Sequence, residues 1–393
     1  MANQKEFDRR GLLRLGAAGG AVAGAAGGLA LLLPGRGAAP GQAQEGAPAG
    51  PQDHAQMGTP TTPATLEADG EAGTRRGQQD HAAHSLSLTV GDVDIERLGF
   101  DPSVILRQFD YGEVSTAADG TVVREFEITA FDREIEIAPG VFFPAWTYNG
   151  QVPGPTLRAN EGDRIRVRFT NAGSHPHTMH FHGIHSAFHD GVSGIGRGDI
   201  LPGETFVYEF NAEPYGCHLY HCHSTPLKRH IHKGLYGAYI VNPDPARHGE
   251  LARSRHPDHE EASEWDEMVM VMNAFDTTFD AANEVYAVNT VAFHYMKHPI
   301  AIDRTRPIRI YLINITEFDP LNSFHLHANF FNYYDTGTTL EPTLRRVDTI
   351  MQVQAQRGIL EFDFRNHKPG LYMFHAHVSE FAELGWMGVF DVR

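Results

Sequence analysis

Cysteine is almost missing from this chain: Cys217 and Cys222 are the only two in 393 residues. They leave no disulfide framework to expect. A long helical periodicity is missing as well. From about Val90 the chain consists of short β-branched or alternating runs broken by Gly, Pro, Asn and Asp, such as Thr121 to Thr129, Arg164 to Phe169, Thr205 to Phe210, Glu267 to Asn273 and Pro307 to Ile315. Positive charge is scarce, with 32 Lys and Arg against 49 Asp and Glu and a net charge of −17. That balance argues against nucleic acid as a partner and suits the attraction of small cations.

The length has room for two or three domains, and 41% hydrophobic with 21% charged residues reads as mostly globular. Residues 1–45 read as a twin-arginine-type signal. Asp8-Arg9-Arg10-Gly11-Leu12-Leu13-Arg14 is followed by an apolar stretch to Leu33 and then Pro34. Export to the periplasm or the exterior is the expectation, with a retained membrane anchor as the other reading. Residues 46–88, rich in Ala, Gly, Pro and Gln, read as a disordered linker in which His54, His81 and His84 are solvated. The rest predicts an all-β protein of two β-sandwiches, 89–246 and 265–393, joined by a linker over 247–264.

Against this background stand four His-x-His pairs: His180 and His182, His221 and His223, His325 and His327, His375 and His377. In a strand, successive side chains point to opposite faces, so each pair sets two imidazoles on one side and its middle residue on the other. The gap from His182 to His221 is 39 residues and from His327 to His375 it is 48, which suggests one unit used twice. Only the second pair encloses a cysteine, Cys222. A thiolate with two imidazoles is the ligand set of a blue electron-transfer copper, whereas imidazoles alone suit copper that meets oxygen. Cys217, an odd number of residues from Cys222, is expected on the opposite face as a buried small hydrophobe.

These residues resemble the multicopper oxidases built from cupredoxin domains, over roughly 90–393. Trp146-Thr-Tyr-Asn-Gly-Gln-Val-Pro-Gly-Pro-Thr-Leu-Arg158, with Glu161-Gly-Asp163 and Asn171, is similar to the family's first-strand signature, and the His-x-His quartet is its most specific mark. With two sandwiches the chain resembles a two-domain laccase-like oxidase of cupredoxin-like Greek-key domains. The resemblance implies a blue copper held by His177, Cys222 and His230, with Leu235 as an axial residue unable to coordinate. His232 is a fallback if the loop is registered differently. It implies a single copper on His180 and His325 and a coupled pair on His182, His221, His223, His327, His375 and His377, four coppers per chain in all. In the second domain Ala376 stands at the cysteine position, Asn322 at that of the histidine, and Phe381 and Trp386 at the other two, so no blue site is expected there. The family also implies a homotrimer in which neighbouring subunits share the cluster.

The activity so implied takes electrons one at a time from a phenol, an aromatic amine or a reduced metal ion and passes them to dioxygen, with an exposed edge of His177 or His230 expected to meet the reductant. Ten methionines without a Met-rich insert weigh against a dedicated cuprous oxidase. Forming water consumes protons, and Asp190 and Glu380 or Glu383 are the candidate donors. His175, His185, His189, His294 and His298 are expected to be hydrogen-bonded or surface residues. Two other readings stay open. A copper nitrite reductase would share the site around Cys222 but carry an aspartate at position 180 and a non-ligand at 223; a cupredoxin electron carrier would need only the blue site.

Overall fold

The computed structural model describes residues 91–393; the signal and linker expected over 1–45 and 46–88 lie outside the described residues. Nine strands build the first half: β1 (Glu113–Thr116), β2 (Val122–Ala138), β3 (Val141–Tyr148), β4 (Gly154–Asn160), β5 (Arg164–Asn171), β6 (His180–Phe181), β7 (Thr205–Asn211), β8 (Gly216–His221) and β9 (Tyr236–Asn242). Eleven build the second: β10 (Asp266–Phe275), β11 (Val285–Val288), β12 (Ile300–Ile302), β13 (Ile308–Asn314), β14 (Leu321–Leu326), β15 (Phe331–Asp335), β16 (Leu344–Val347), β17 (Thr349–Val353), β18 (Arg357–Phe362), β19 (Gly370–His375) and β20 (Met387–Val392).

Each half has two sheets. The first has β1-β2-β5-β7, with β3 paired to β2, and β4-β9-β8-β6; the second has β11-β10-β13-β18-β15-β16 and β12-β20-β19-β14-β17. Parallel pairs β2/β5, β4/β9, β10/β13 and β12/β20 require crossover connections, so the halves are Greek-key sandwiches rather than meanders. The architecture is all-β.

Three cores follow from strand alternation. Phe126, Ile128, Val167, Phe169, Tyr220 and Leu235 fill the first sandwich, and Met268, Met270, Ile310, Phe324, Phe374 and Trp386 fill the second. A third core lies between them, because β10 and β13 are buried on both faces. Met268, Met270 and Met272 point into the second sandwich, while Val269 and Val271 meet Cys217, Leu219 and Ile240 of the first. Cys217 is thus buried on the face opposite Cys222, and burial pushes its thiol up to about 12. A charged cluster joins the halves beside this core. Glu267 accepts from Arg158 of β4 and from Tyr311 and Arg309 of β13.

The stretch expected to link the domains, 247–264, is largely short helical turns, Glu250–Arg253 and Glu260–Ser263, and it is anchored rather than free. Arg255, 4% exposed, pairs with Glu361 and lies over the Tyr334 ring. The segment before β1 packs across to the second domain: the Leu106 carbonyl accepts from Val269 N–H at 2.8 Å, and Arg107 binds Asp266 with both Nε and Nη2.

Candidate metal centre

Strand register brings the histidine pairs together. β6 pairs with β8 so that His180 lies opposite His221, and β14 pairs with β19 so that His325 lies opposite His375. Each domain therefore gathers four imidazoles. In the first, the His180 ring is 5.2, 5.3 and 5.4 Å from those of His182, His221 and His223. In the second, His325 is 4.9, 5.4 and 5.2 Å from His327, His375 and His377.

The two sets are oriented by the same devices. Nδ1 of His180 donates to the Asp190 carbonyl and Nδ1 of His325 to that of Asp348, at 2.8 and 2.9 Å. Nδ1 of His221 donates to the Cys222 carbonyl and Nδ1 of His375 to that of Ala376, at 3.0 and 2.6 Å. A carbonyl accepts only from N–H, so these four rings hold their proton on Nδ1 and present the Nε2 lone pair. The Thr178 hydroxyl accepts from His223 N–H, and the Ser323 hydroxyl from His377 N–H, both at 2.8 Å. Arg357 of β18 reaches from the second domain to within 3.4 Å of His182 Nδ1.

Among the described residues no ring of one set lies against a ring of the other. The second set faces outward, with His327 and His377 exposed and His325 and His375 half-buried. Neither domain closes a cage around its own four rings.

The thiolate set is a different environment. His177 and Cys222 are fully buried and His230 is 2% exposed. Cys222 Sγ is 3.2 Å from His230 Nδ1 and 4.0 Å from His177 Nδ1, and those two nitrogens are 3.2 Å apart. Thr178 N–H points at the sulfur at 3.3 Å. Leu235 is fully buried in the same core, and its carbonyl accepts from Cys222 N–H. His232 is not part of this set; its Nε2 accepts from Asp276 N–H in the junction between domains.

The donor atoms fit copper by their chemistry. Burial, helped by neighbouring imidazoles, holds His177 and His221 down to about 3 and His182 to about 2, and burial holds His230 to about 4, so all four rings are neutral with lone pairs free. Burial also pushes the Cys222 thiol up, and among the described residues no carboxylate or lysine is a partner to the sulfur. A soft cation would stabilise the thiolate there, and hydrocarbon around it excludes harder oxygen-seeking ions.

The second domain keeps the frame of this site without its ligands. Cys222 N–H bonds Leu235 O and Leu235 N–H bonds His230 O; correspondingly, Ala376 N–H bonds Trp386 O and Trp386 N–H bonds Phe381 O. These bonds align Phe381 with His230 and Trp386 with Leu235. The space is filled by apolar rings, Phe381 stacking on Tyr286 at 4.1 Å.

Of the acids, Asp190 stands beside the first imidazole set, its Oδ1 3.2 Å from His180 Nδ1 and 3.7 Å from His185 Nε2. Glu380 is exposed on the short helix Ser379–Glu383, where the group its charge bears on is Tyr286. The expected exposed edge of His177 is absent, since the ring is fully buried, and His230 offers only a sliver; Trp146 packs over both, at 5.1 and 4.8 Å. Sequence reasoning treated Trp146 only as part of a signature and missed the roles of Thr178, Ser323 and Arg357. The hydroxyl two residues before the leading histidine in both domains was the available signal.

Family models described as multicopper oxidase match residues 132–246 and 265–393. Laccase 1 of Metarhizium acridum (strain CQMa 102) is 41% identical over 104 residues, 26% of this chain and 16% of its own length. A copper-containing nitrite reductase of Neisseria gonorrhoeae is 35% identical over 118 residues, 28% of each chain. The chain spans between about a sixth and a little over a third of the curated relatives it matches. Among solved structures, one described as a multicopper oxidase is 54% identical with a TM-score of 0.71, over 77% of this chain and 100% of that one. The Blue Copper Oxidase from Nitrosomonas europaea is 26% identical with a TM-score of 0.59, over 69% of this chain and 86% of that one.

Proposed function

The chain belongs to the multicopper oxidase family, and on that premise we propose that it is a laccase-like oxidase, coupling one-electron oxidation of a small reductant to reduction of dioxygen to water. The observation that carries this reading is the division of donors into one buried His-Cys-His set and two sets of four imidazoles, the tripeptide His221-Cys222-His223 joining the first to the imidazole set of its own domain. His177, Cys222 and His230 would hold the blue copper, with Leu235 axial. His180 and His325 would hold the single copper of the cluster, and His182, His221, His223, His327, His375 and His377 the coupled pair. Copper bound there supplies a one-electron acceptor at the thiolate and a centre for dioxygen reduction at the imidazoles.

The chain's own residues do the rest. Strand alternation sends Cys222 into the sandwich and His221 to the opposite face, so the two sites are one residue apart in covalent distance. The bond from His221 Nδ1 to the Cys222 carbonyl adds a second short link. Burial of His177, Cys222 and Leu235 keeps water from the thiolate. The Asp190 carboxyl, 3.2 Å from His180 Nδ1, is the candidate proton donor of this reading. Reductants of this reading are phenols, aromatic amines or reduced metal ions.

A homotrimer with the cluster shared between subunits belongs to the same proposal. Exposed apolar side chains stand near both imidazole sets in the chain or sheet: Ile184 and Phe188 follow His182, Phe330 follows His327, and Met351 pairs with Ser323, two residues before His325. Two half-sets with exposed apolar neighbours suit a head-to-tail contact that closes into a ring. Export by the twin-arginine route is also proposed, and an intact Met1 on N-terminal sequencing of the mature protein would refute it.

Copper content, visible spectrum and oxygen uptake with a simple phenol test the function together. About four coppers per chain, an intense blue band and oxygen consumption are expected. Two coppers without oxygen uptake would move the reading to nitrite reduction, and one copper to an electron carrier.

A further inference from the structure

The thiolate set is sealed from the surface, and Trp146 is part of the seal. This indole, 4% exposed, lies 5.1 Å from the His177 ring, 4.8 Å from His230 and 4.6 Å from His175. Its backbone is held to the loop behind it, the Trp146 main-chain N–H donating to the Lys233 carbonyl at 2.8 Å. His175 is half-buried, its Nδ1 2.8 Å from the Ser174 hydroxyl, and Pro176 beside it is exposed. Reading inward from solvent, the order is His175, Trp146, then both imidazoles.

The charge around this stack is mainly positive. The exposed Arg229 guanidinium is 5.4 Å from the Trp146 ring and the buried Lys233 ammonium 5.6 Å from it. Lys228 is exposed one residue before Arg229. Two acids bear on this side: Asp132, whose carboxylate accepts from Ser174 N–H, and the half-buried Asp199, whose charge reaches His177 and His230 and whose carboxylate accepts from the Ser193 and Ser224 hydroxyls. A metal cation arriving here meets two cations beside the indole and, among the described residues, no cluster of oxygen or sulfur donors to hold it. An aromatic anion meets an imidazole ring to stack on and a guanidinium to pair with.

We propose that reductant docks on His175 beside Arg229, that its electron reaches the His177–Cys222–His230 set through Trp146, and that the site favours aromatic anions over metal cations. The inference rests on the blue-copper reading of that set. One electron leaves the reductant, which becomes a radical, losing a proton to solvent where it was a neutral phenol. Copper held by His177, Cys222 and His230 would accept the electron, and Trp146 serves as the intervening π-system and is unchanged afterwards.

The test uses the copper-loaded protein without oxygen, mixed with excess reductant while the blue band is followed. Trp146→Leu should keep the band and its reduction potential yet bleach tenfold or more slowly, the scale on which groups behind a metal's ligands act. Trp146→Phe, which keeps a ring, should recover much of the rate. Arg229→Glu, a surface change, should slow bleaching by an aromatic sulfonate at low salt, speed it by ferrous ion, and lose both effects at high salt. In the copper-free protein a histidine-acylating reagent should modify His175 but spare His177 and His230, and Trp146→Leu should expose His230. Unchanged or faster bleaching in Trp146→Leu would overturn the proposal and make the indole a shield. Faster bleaching by ferrous ion than by the sulfonate in the unaltered protein would overturn the anion preference. A protein with no blue band fails the underlying copper reading instead, before any variant is compared.

Discussion

At the scale of single residues, the chemistry is decided by what stands near each donor atom. Leu235 is the clearest case. If Leu235 stands at the axial position of a blue copper, as proposed, the metal would have three strong ligands, and axial identity is one of the tuners of such a site's potential. Leu235→Met is therefore expected to lower the reduction potential, measured by redox titration of the blue band; an unchanged or higher value would show that Leu235 does not face the metal. Asp190 is the second case. Its backbone carbonyl orients His180 and its carboxylate stands beside the same ring, so Asp190→Asn preserves the orienting bond and removes only the acid. Slower oxygen uptake with an intact blue band is expected, and uptake equal to the parent at every pH tested would remove Asp190 from the proton path.

At the scale of elements, β10 and β13 carry more than their own sandwich. Leu312 and Ile313 are neighbours in β13, yet one belongs to the second core and the other to the core between domains. Leu312→Ala and Ile313→Ala should each cost roughly 2–5 kcal/mol in denaturant unfolding, because each leaves a cavity in a packed layer. If Ile313→Ala cost nothing, the domains would be independent. Between the same strands, Glu267 is pulled both ways: burial alone would raise its carboxyl, but Arg158, Arg309 and the Tyr311 hydroxyl outweigh it and hold the group at about 2, against an ordinary 4.5. A depressed carboxyl contributes stability in full above its unfolded value and loses it as pH falls through the folded one. The junction should thus weaken as pH drops from about 4.5 to about 2. Glu267→Gln should flatten that slope in acid melts and, by leaving the buried Arg158 without its carboxylate while Arg309 keeps Glu361, cost about 3–5 kcal/mol at neutral pH.

At the scale of the whole molecule, the sequence made the frame legible and left the joints hidden. The strict alternation of His221-Cys222-His223 was enough to assign faces, because a strand's period is two and allows no other outcome. Ala376, Phe381 and Trp386 could likewise be aligned with a blue site, and the matching backbone bonds agree with that register. Contacts made by residues far apart in the chain were not legible: no local pattern announces that Trp146 would cover His177 and His230, that Arg357 would reach His182, or that 247–264 would be tied down by Arg255. Whether the imidazole sets work within one chain or between chains is likewise a question of assembly, and it has a decisive form. One variant carries His182→Ala and His221→Ala, breaking the first-domain set; the other carries His325→Ala and His375→Ala, breaking the second. Each alone should lack oxygen uptake. If sets pair head to tail around a ring, trimers re-formed from an equal mixture contain interfaces with an intact first set from one variant and an intact second set from the other. Random mixing makes about a quarter of interfaces complete, so roughly that share of the parent activity should return. A mixture that stays inactive although mixed trimers form would mean that each chain must supply both sets to its own cluster.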